Sequence, residues 1–310
     1  MAGAGAVTAL EALGEWGPRR ERGLWSDAFY RLIRNRLAMA ALVLLTVIAV
    51  LAVLGNSVDL VRRYDPRSQD YSVLQVSPSA SHFFGTDNLG RDNWSRVLQG
   101  TLISLEVGLG VQGIVLVIGL LVGGAAAITG RLGDNILMRF TDLAYAFPDL
   151  LFIILMRAVL SNRDWPVLGQ PVPQMIFAIA FVGWVTIARL VRGQMLSLAE
   201  RDFVMAARAL GASQARIVFQ HMLPNTLGPV IVAITFGIPT AIFAEAVLGF
   251  IGFGLPPPTA SLGRLVSDGY AFIQVNIWVV VFPAAAIGLL MLCFTFLGDG
   301  LRDALDPRAR

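Results

Sequence analysis

Apolar residues in this chain gather in long blocks, without the period of two that marks a half-buried strand. Six blocks stand out. Leu37 to Leu54 carries no charge, and Leu102 to Thr129 is interrupted only by Glu106. Leu137 to Leu160 is the most polar, with Arg139, Asp142, Asp149 and Arg157 inside it. Gln174 to Leu190, Thr226 to Phe250 with Glu245 near its end, and Ile277 to Leu297 complete the series. A helix of roughly 20 apolar residues crosses a hydrocarbon core. The pattern therefore predicts an all-α membrane protein with six transmembrane helices. The first block is longer than a cleavable signal's apolar region, roughly 7–15 residues. The polar "GNSVDLVRRYD" follows it, so it reads as an anchor that stays in place.

Composition agrees. Of 310 residues, 56% are hydrophobic and 15% charged, more apolar surface than a soluble domain of this length could hide. All 24 basic residues are arginine, which points to a GC-rich coding bias. With no lysine, the sequence holds no standard Walker A loop and no Schiff-base lysine. Cys293 is alone inside an apolar block, so it forms no intrachain disulfide and reads as a small hydrophobe. His82 and His221 lie far apart and, with one cysteine, make no convincing metal site.

The net charge of +3 comes from arginines scattered between apolar blocks and points to no nucleic acid. Six spans place both termini on one side, with sixteen arginines there and eight opposite. The positive-inside bias makes that side the cytoplasm. Residues 1–36 then form a cytoplasmic tail, Gly/Ala-rich and loose to about Gly23, ending in the basic amphipathic "WSDAFYRLIRNR". That stretch suits either an interfacial helix or a plain positive flank. Residues 37–54 are the first span, 55–100 the longest polar insert, outside, and 101–297 a five-helix core; 298–310 form a cytoplasmic tail.

Residues 202–225, "DFVMAARALGASQARIVFQHMLPN", interrupt that core on the cytoplasmic side. Asp202 suits an N-cap for a helix from Phe203 to Leu210, and Gly211 the left-handed position that ends it. Ser213 suits the cap of a second helix, Gln214 to Met222, and Pro224 the entry to the next span. The expected apolar positions are Phe203, Ala206, Ala207, Leu210, Ile217, Val218 and Met222. Ala206, Ala207, Ala209, Gly211 and Ala212 give a low-relief surface. Such a surface suits close approach of another protein or a rest on lipid headgroups.

"AARALGASQARIVFQHMLPN" resembles the cytoplasmic EAA loop of ABC importer permeases. Ala206, Ala207, Gly211, Leu223 and Pro224 match that pattern in register, while Met205 replaces its glutamate and His221 its usual isoleucine. "FGTDNLGRD", "AFPDLL", "AEAVLGFIGFGLPPPTASLG" and "LGDGLRDALDPR" resemble successive segments of the C-type subunit of oligopeptide, dipeptide and nickel permeases, from about Phe29 to Arg308.

The resemblance implies a type I (MetI-like) importer permease fold and a non-catalytic role. It also implies a multi-pass protein of a bacterial or archaeal cytoplasmic membrane. The implied partners are a second homologous permease in a heterodimer, two ATPase subunits and an extracytoplasmic substrate-binding protein. The implied coupling residues are Ala206, Ala207, Arg208, Gly211, Ala212, Ser213, Leu223 and Pro224. ATP and Mg2+ would sit on the ATPases, and this chain would bind no cofactor. Di- or oligopeptides are the implied substrates; nickel complexes, opines, glutathione and some sugars use similar permeases.

Charge inside a span is costly, roughly 2.5–3.5 kcal/mol at the bilayer centre on insertion scales, which singles out Glu106, Asp149 and Glu245. Glu106 and Glu245 suit an outer vestibule that meets a peptide's amino group, or plain solvation and structural pairing. Asp149, after Pro148, suits either the pathway or a helix cap. Asp87, Arg91 and Asp92 suit local pairing that braces the outer segment, with substrate contact as the lesser reading. An ion-gradient-driven secondary transporter is the alternative, but it calls for buried titratable pairs and broken helices, of which only the third block offers a trace. An intramembrane enzyme needs a nucleophile with a base in reach, and neither histidine lies within a span.

Overall fold

The computed structural model describes residues 24–161 and 165–306. The tail expected to be loose, Arg163, Arg308 and Arg310 lie outside the described residues. Helix α1 (Leu24–Arg34) carries Asp27 in its first turn and Arg31 and Arg34 in its last, which suits the helix dipole. Asn35 ends it, and its side chain accepts from Ala38 N at 3.2 Å to start α2 (Arg36–Ser57). At 1.5 Å per residue the 22 residues of α2 span about 33 Å, the thickness of a hydrocarbon core.

After the single turn α3 (Asp59–Arg62), the chain makes an irregular cap and enters α4 (Asn93–Ile128). This helix begins at Asn93, not Leu102 as expected, because Asp92 caps it by accepting from Ser95 N at 2.9 Å. Its polar first turns are buried in the cap, which the apolar pattern alone does not show. α4 is also the central helix, packing most extensively on α7 (Pro171–Ala199). Gly119 and Gly123 permit this, since a Cβ on Gly123 would lie 2.3 Å from the Ala188 carbonyl oxygen.

The third expected span is not one helix. It is α5 (Gly130–Tyr145) and α6 (Asp149–Ser161), bent by 87°. Pro148 disfavours helical geometry at Phe147 and has no N–H to give. Its carbonyl accepts from Phe152 N at 3.0 Å, which starts the new helix. Five long apolar helices and this bent pair account for six candidate spans among the described residues.

The polar elbow begins with α8 (Asp202–Ala209). Its second part differs from the expected surface helix. α9 (Gln214–Arg216), a π-helical stretch (Ile217–Met222) and α10 (Leu223–Phe250) run together as one helix of 37 residues. Pro224 thus lies inside a continuous helix. The wider π turn just before it accommodates its ring, and Asn225 Nδ2 donates to the His221 carbonyl at 2.6 Å. α11 (Leu262–Tyr270) and α12 (Trp278–Leu305) complete the chain.

Two apolar clusters form the interior. Val107, Val111 and Val115 of α4 meet Met175, Ile179 and Ile187 of α7, and Leu45, Ile242, Leu290 and Phe294 join α2, α10 and α12. Val43, Val47, Leu109, Val117, Leu121, Leu155 and Leu292 face outward. So large an apolar exterior is a liability in water and ordinary in lipid.

Candidate functional site

Three places gather the polar groups: the elbow at one end of the bundle, a cavity within it, and the cap at the other end.

In the elbow, α8 closes on Gly211 through two bonds of 3.0 Å, Gly211 N to Arg208 O and Ala212 N to Ala207 O. This is a Schellman ending, and Gly211 holds the left-handed φ of 81° that it needs. Ser213 Oγ accepts from Arg216 N at 3.4 Å and caps the next helix. Asp202 is not the cap: it is the first helical residue, and Arg201 holds the cap position without a side-chain bond. Facing also differs from expectation. Val204, Ile217, Val218 and Met222 are buried in the main core, with Ala207 and Ala212 packed against it. Phe203, Ala206, Arg208 and Ala209 are exposed, and Leu210 and Phe219 project with 89% and 68% of their surface free. The outer face is therefore small residues beside projecting apolar ones. Leu223 is half-buried and Pro224 exposed at the foot of α10.

The cavity, of about 380 Å³, lies among α4, the α5–α6 break, α7 and α10. Gln112, Tyr145, Asp149, Thr186 and Thr240 bring polar groups into an otherwise apolar lining. Non-helical backbone at membrane depth is tolerated where it is buried in protein or lines a watery cavity. Tyr145 and Asp149, on either side of the break, both line this cavity. Asp149 is exposed in the first turn of α6, where the dipole favours a carboxylate, and it makes no side-chain hydrogen bond among the described residues.

Gln112 owes its place to Gly237, where a Cβ would come within 2.4 Å of Gln112 Oε1. Gly237→Ala should leave a folded protein, because the amide can rotate away, yet push that amide into the cavity. A several-fold fall in transport at unchanged membrane level is the expected result. Parent-like transport would show that Gln112's position does not matter.

The two glutamates separate. Glu106 is exposed on α4. Glu245 is fully buried, with Oε2 accepting from Ser104 Oγ at 3.1 Å and Oε1 without a hydrogen bond. In this conformation Glu245 therefore lines no open vestibule. Arg157 of α6 donates to the carbonyls of Phe253 and, at 2.8 Å, Gly254. It thus ties the broken span to the turn after α10. Ser104 carries no local signal in sequence, and Arg157 shows only as a charge inside the third block; each meets its partner from a distant element.

In the cap, Asp87 accepts from Leu89 N (2.8 Å), Arg91 N (2.9 Å), and Arg91 Nε and Arg96 Nη1 (both 2.7 Å). Asp92 pairs with His82 Nδ1 at 2.8 Å, rather than with an arginine. Asp268 of α11 lies 3.7 Å from Arg96 and from Arg264. Asn276 Nδ2 ties the segment after α11 to the loop between α3 and α4, the first loop of the cap, by donating to Gln75 O (3.3 Å) and Val76 O (3.2 Å). Among the described residues no group of three metal-binding side chains clusters.

Residues 116–310 match the family model of the binding-protein-dependent transport system inner membrane component. Residues 23–78 match that of the N-terminal TM domain of oligopeptide transport permease C. The chain is 38% identical over 292 residues to the oligopeptide transport system permease protein OppC of Bacillus subtilis (strain 168), covering 94% of this chain and 92% of that one. It is 41% identical over 285 residues to the dipeptide transport system permease protein DppC of the same organism, covering 92% and 86%. Among solved structures, a chain of the inward-facing MetNI methionine ABC transporter aligns with TM-score 0.57 and 22% identity, over 68% of this chain and 96% of that one. A chain of an amino acid ABC transporter aligns with TM-score 0.52 and 16% identity, over 67% and 92%. At these identities the structural likeness is one of fold.

Proposed function

The chain belongs to the family of binding-protein-dependent transport system inner membrane components, and from that premise we propose how its two ends and its cavity divide the work. It is a non-catalytic permease subunit of an ABC importer, with the all-helical type I permease fold. Two such subunits pair, this chain with a homologous one, and each cavity forms half of the pathway for di- or oligopeptides. Gln112, Asp149, Thr186 and Thr240 face the solute. Glu106, the exposed charge on α4, meets the partner permease or the pathway, because lipid would penalise it. The cap faces outward, toward a binding protein that delivers substrate. The elbow faces the cytoplasm and seats on an ATPase subunit that binds ATP and Mg2+.

The observation that carries this reading is the elbow. Its inner side is locked into the core through Val204 and Met222, and its outer side presents Leu210 and Phe219 to solvent. An exposed apolar pair on a rigid base is the form of an interface anchor.

Reconstitution tests it. Proteoliposomes with this chain, its partner permease and the ATPases should take up dipeptide when ATP and the binding protein are supplied, and the chain alone should hydrolyse no ATP. A cysteine at Ser79, in a Cys293→Ala background, should react with an impermeant reagent from the side that receives the binding protein. Uptake by this chain alone, driven by an ion gradient without ATP, would favour the secondary-transporter reading and sink this one.

A further inference from the structure

A second cavity, of about 530 Å³, opens in the cap end between the first loop and the segment around α11. Arg67, Arg91, Arg96 and Arg264 all line it, with Asp268 beside them. Asp87, behind the wall, is saturated by two guanidinium and two backbone donors. Asp268 is not at hydrogen-bond distance from any guanidinium: it stands 3.7 Å from Arg96, 3.7 Å from Arg264 and 4.0 Å from Arg91. Arg96 is 2% exposed, and its Nε has no partner. The Arg67 guanidinium makes no hydrogen bond among the described residues. Four guanidiniums against two carboxylates leave two positive charges and several N–H donors unmatched. Arg91 and Arg264 are half-buried and Arg67 is exposed at the rim, so like charges are held together around the cavity, and an anion that takes their free N–H groups is favoured.

We propose that this cavity is a carboxylate-binding site on the permease itself. The planar fork of a guanidinium matches a carboxylate with two parallel bonds. The volume lies in the range of small-ligand sites, roughly 300–1,000 Å³. A bound carboxylate takes the donors that Asp268 only approaches. The proposal rests on the transport reading above, which brings carboxylates to this face from two sources: the C-terminus of an arriving peptide, or an acidic side chain of the delivering protein.

Both sources are tested on the assembled transporter in lipid nanodiscs at low salt. In one arm, binding of dialanine and of dialanine amide is measured by equilibrium dialysis without the binding protein. In the other, docking of the substrate-free binding protein is measured as a function of salt. Arg67→Gln with Arg264→Gln should weaken one of the two by at least tenfold. Loss of dialanine binding, with the amide inert throughout, assigns the site to the peptide. Loss of a salt-sensitive docking assigns it to the delivering protein. Arg67 is exposed and outside the buried network, so Arg67→Gln alone, expected to weaken that arm about threefold, guards against misfolding of the pair. If the variants keep the parent's stability and neither arm changes, the site does not exist. ATPase recruitment through the elbow lies at the opposite end, so its loss in the unaltered complex would count against the transport reading and not against this site.

Discussion

Gly211→Val should reach the membrane at the parent's level and fail to hold its ATPase. Gly211 sits at φ 81°, where any residue with a Cβ pays roughly 1–2 kcal/mol and a β-branched one more. Nothing lies within 4 Å of a Cβ built there, so the strain is in the backbone and not in a clash. The chain relieves it by abandoning the left-handed turn, which breaks the two bonds from Gly211 and Ala212 that close α8. Leu210, beside the turn, then leaves its place. Co-purification of the ATPase should fall at least tenfold, and uptake to near background. Ala212→Ser, which asks nothing new of the backbone, should behave as the parent does. If Gly211→Val keeps its ATPase and transports normally, the elbow is an ordinary surface loop.

The second large effect is expected at Asp87→Ala. One carboxylate there serves four donors, and Arg96, one of its partners, is almost wholly buried. Removing one partner of a buried ion pair costs about 3–5 kcal/mol, because the other charge stays behind uncompensated. The nearest remaining acid, Asp268, is too far to take up the lost bonds. The cap should open while the membrane helices remain. Trypsin cleavage after Arg91, which Asp87 holds in the network, should accelerate on the order of a hundredfold, as a 3 kcal/mol rise in the open population requires. Asp87→Asn keeps an acceptor oxygen and should show a smaller increase. A cap of Asp87→Ala that resists trypsin as the parent's does would show that the network is dispensable.

What the sequence reveals about this fold follows the range of the forces involved. Block length alone gives the helices, since the membrane demands it. The turn at Gly211 and the cap at Ser213 are also legible, because each depends on three or four neighbouring residues. Facing in the elbow is not. Val204 rather than Phe203 turns inward because α7 and the π-helical stretch stand behind it, and neither is visible locally. The third span misleads for a related reason. Its block is continuous in hydropathy, and Pro148 can either kink a helix or end it; the neighbours decide. The polar network of the cap is the least legible. Asp87 and Arg91 are four residues apart, but Asp268, Glu245 with Ser104, and Asn276 with Gln75 join positions more than a hundred residues apart.

The fusion of the elbow's second half with α10 has a mechanical meaning. Thirty-seven residues in one continuous helix reach about 55 Å, with the π-helical stretch, Pro229 and Pro239 as the points where it gives most easily. On the transport reading proposed above, this helix would act as a crank, with α8 as the short arm and α10 as the shaft. Tilting such a shaft by 5° moves its far end by about 5 Å. That far end carries Glu245 and the turn held by Arg157. A small stroke delivered at the elbow would then arrive at the other surface as the movement of one element.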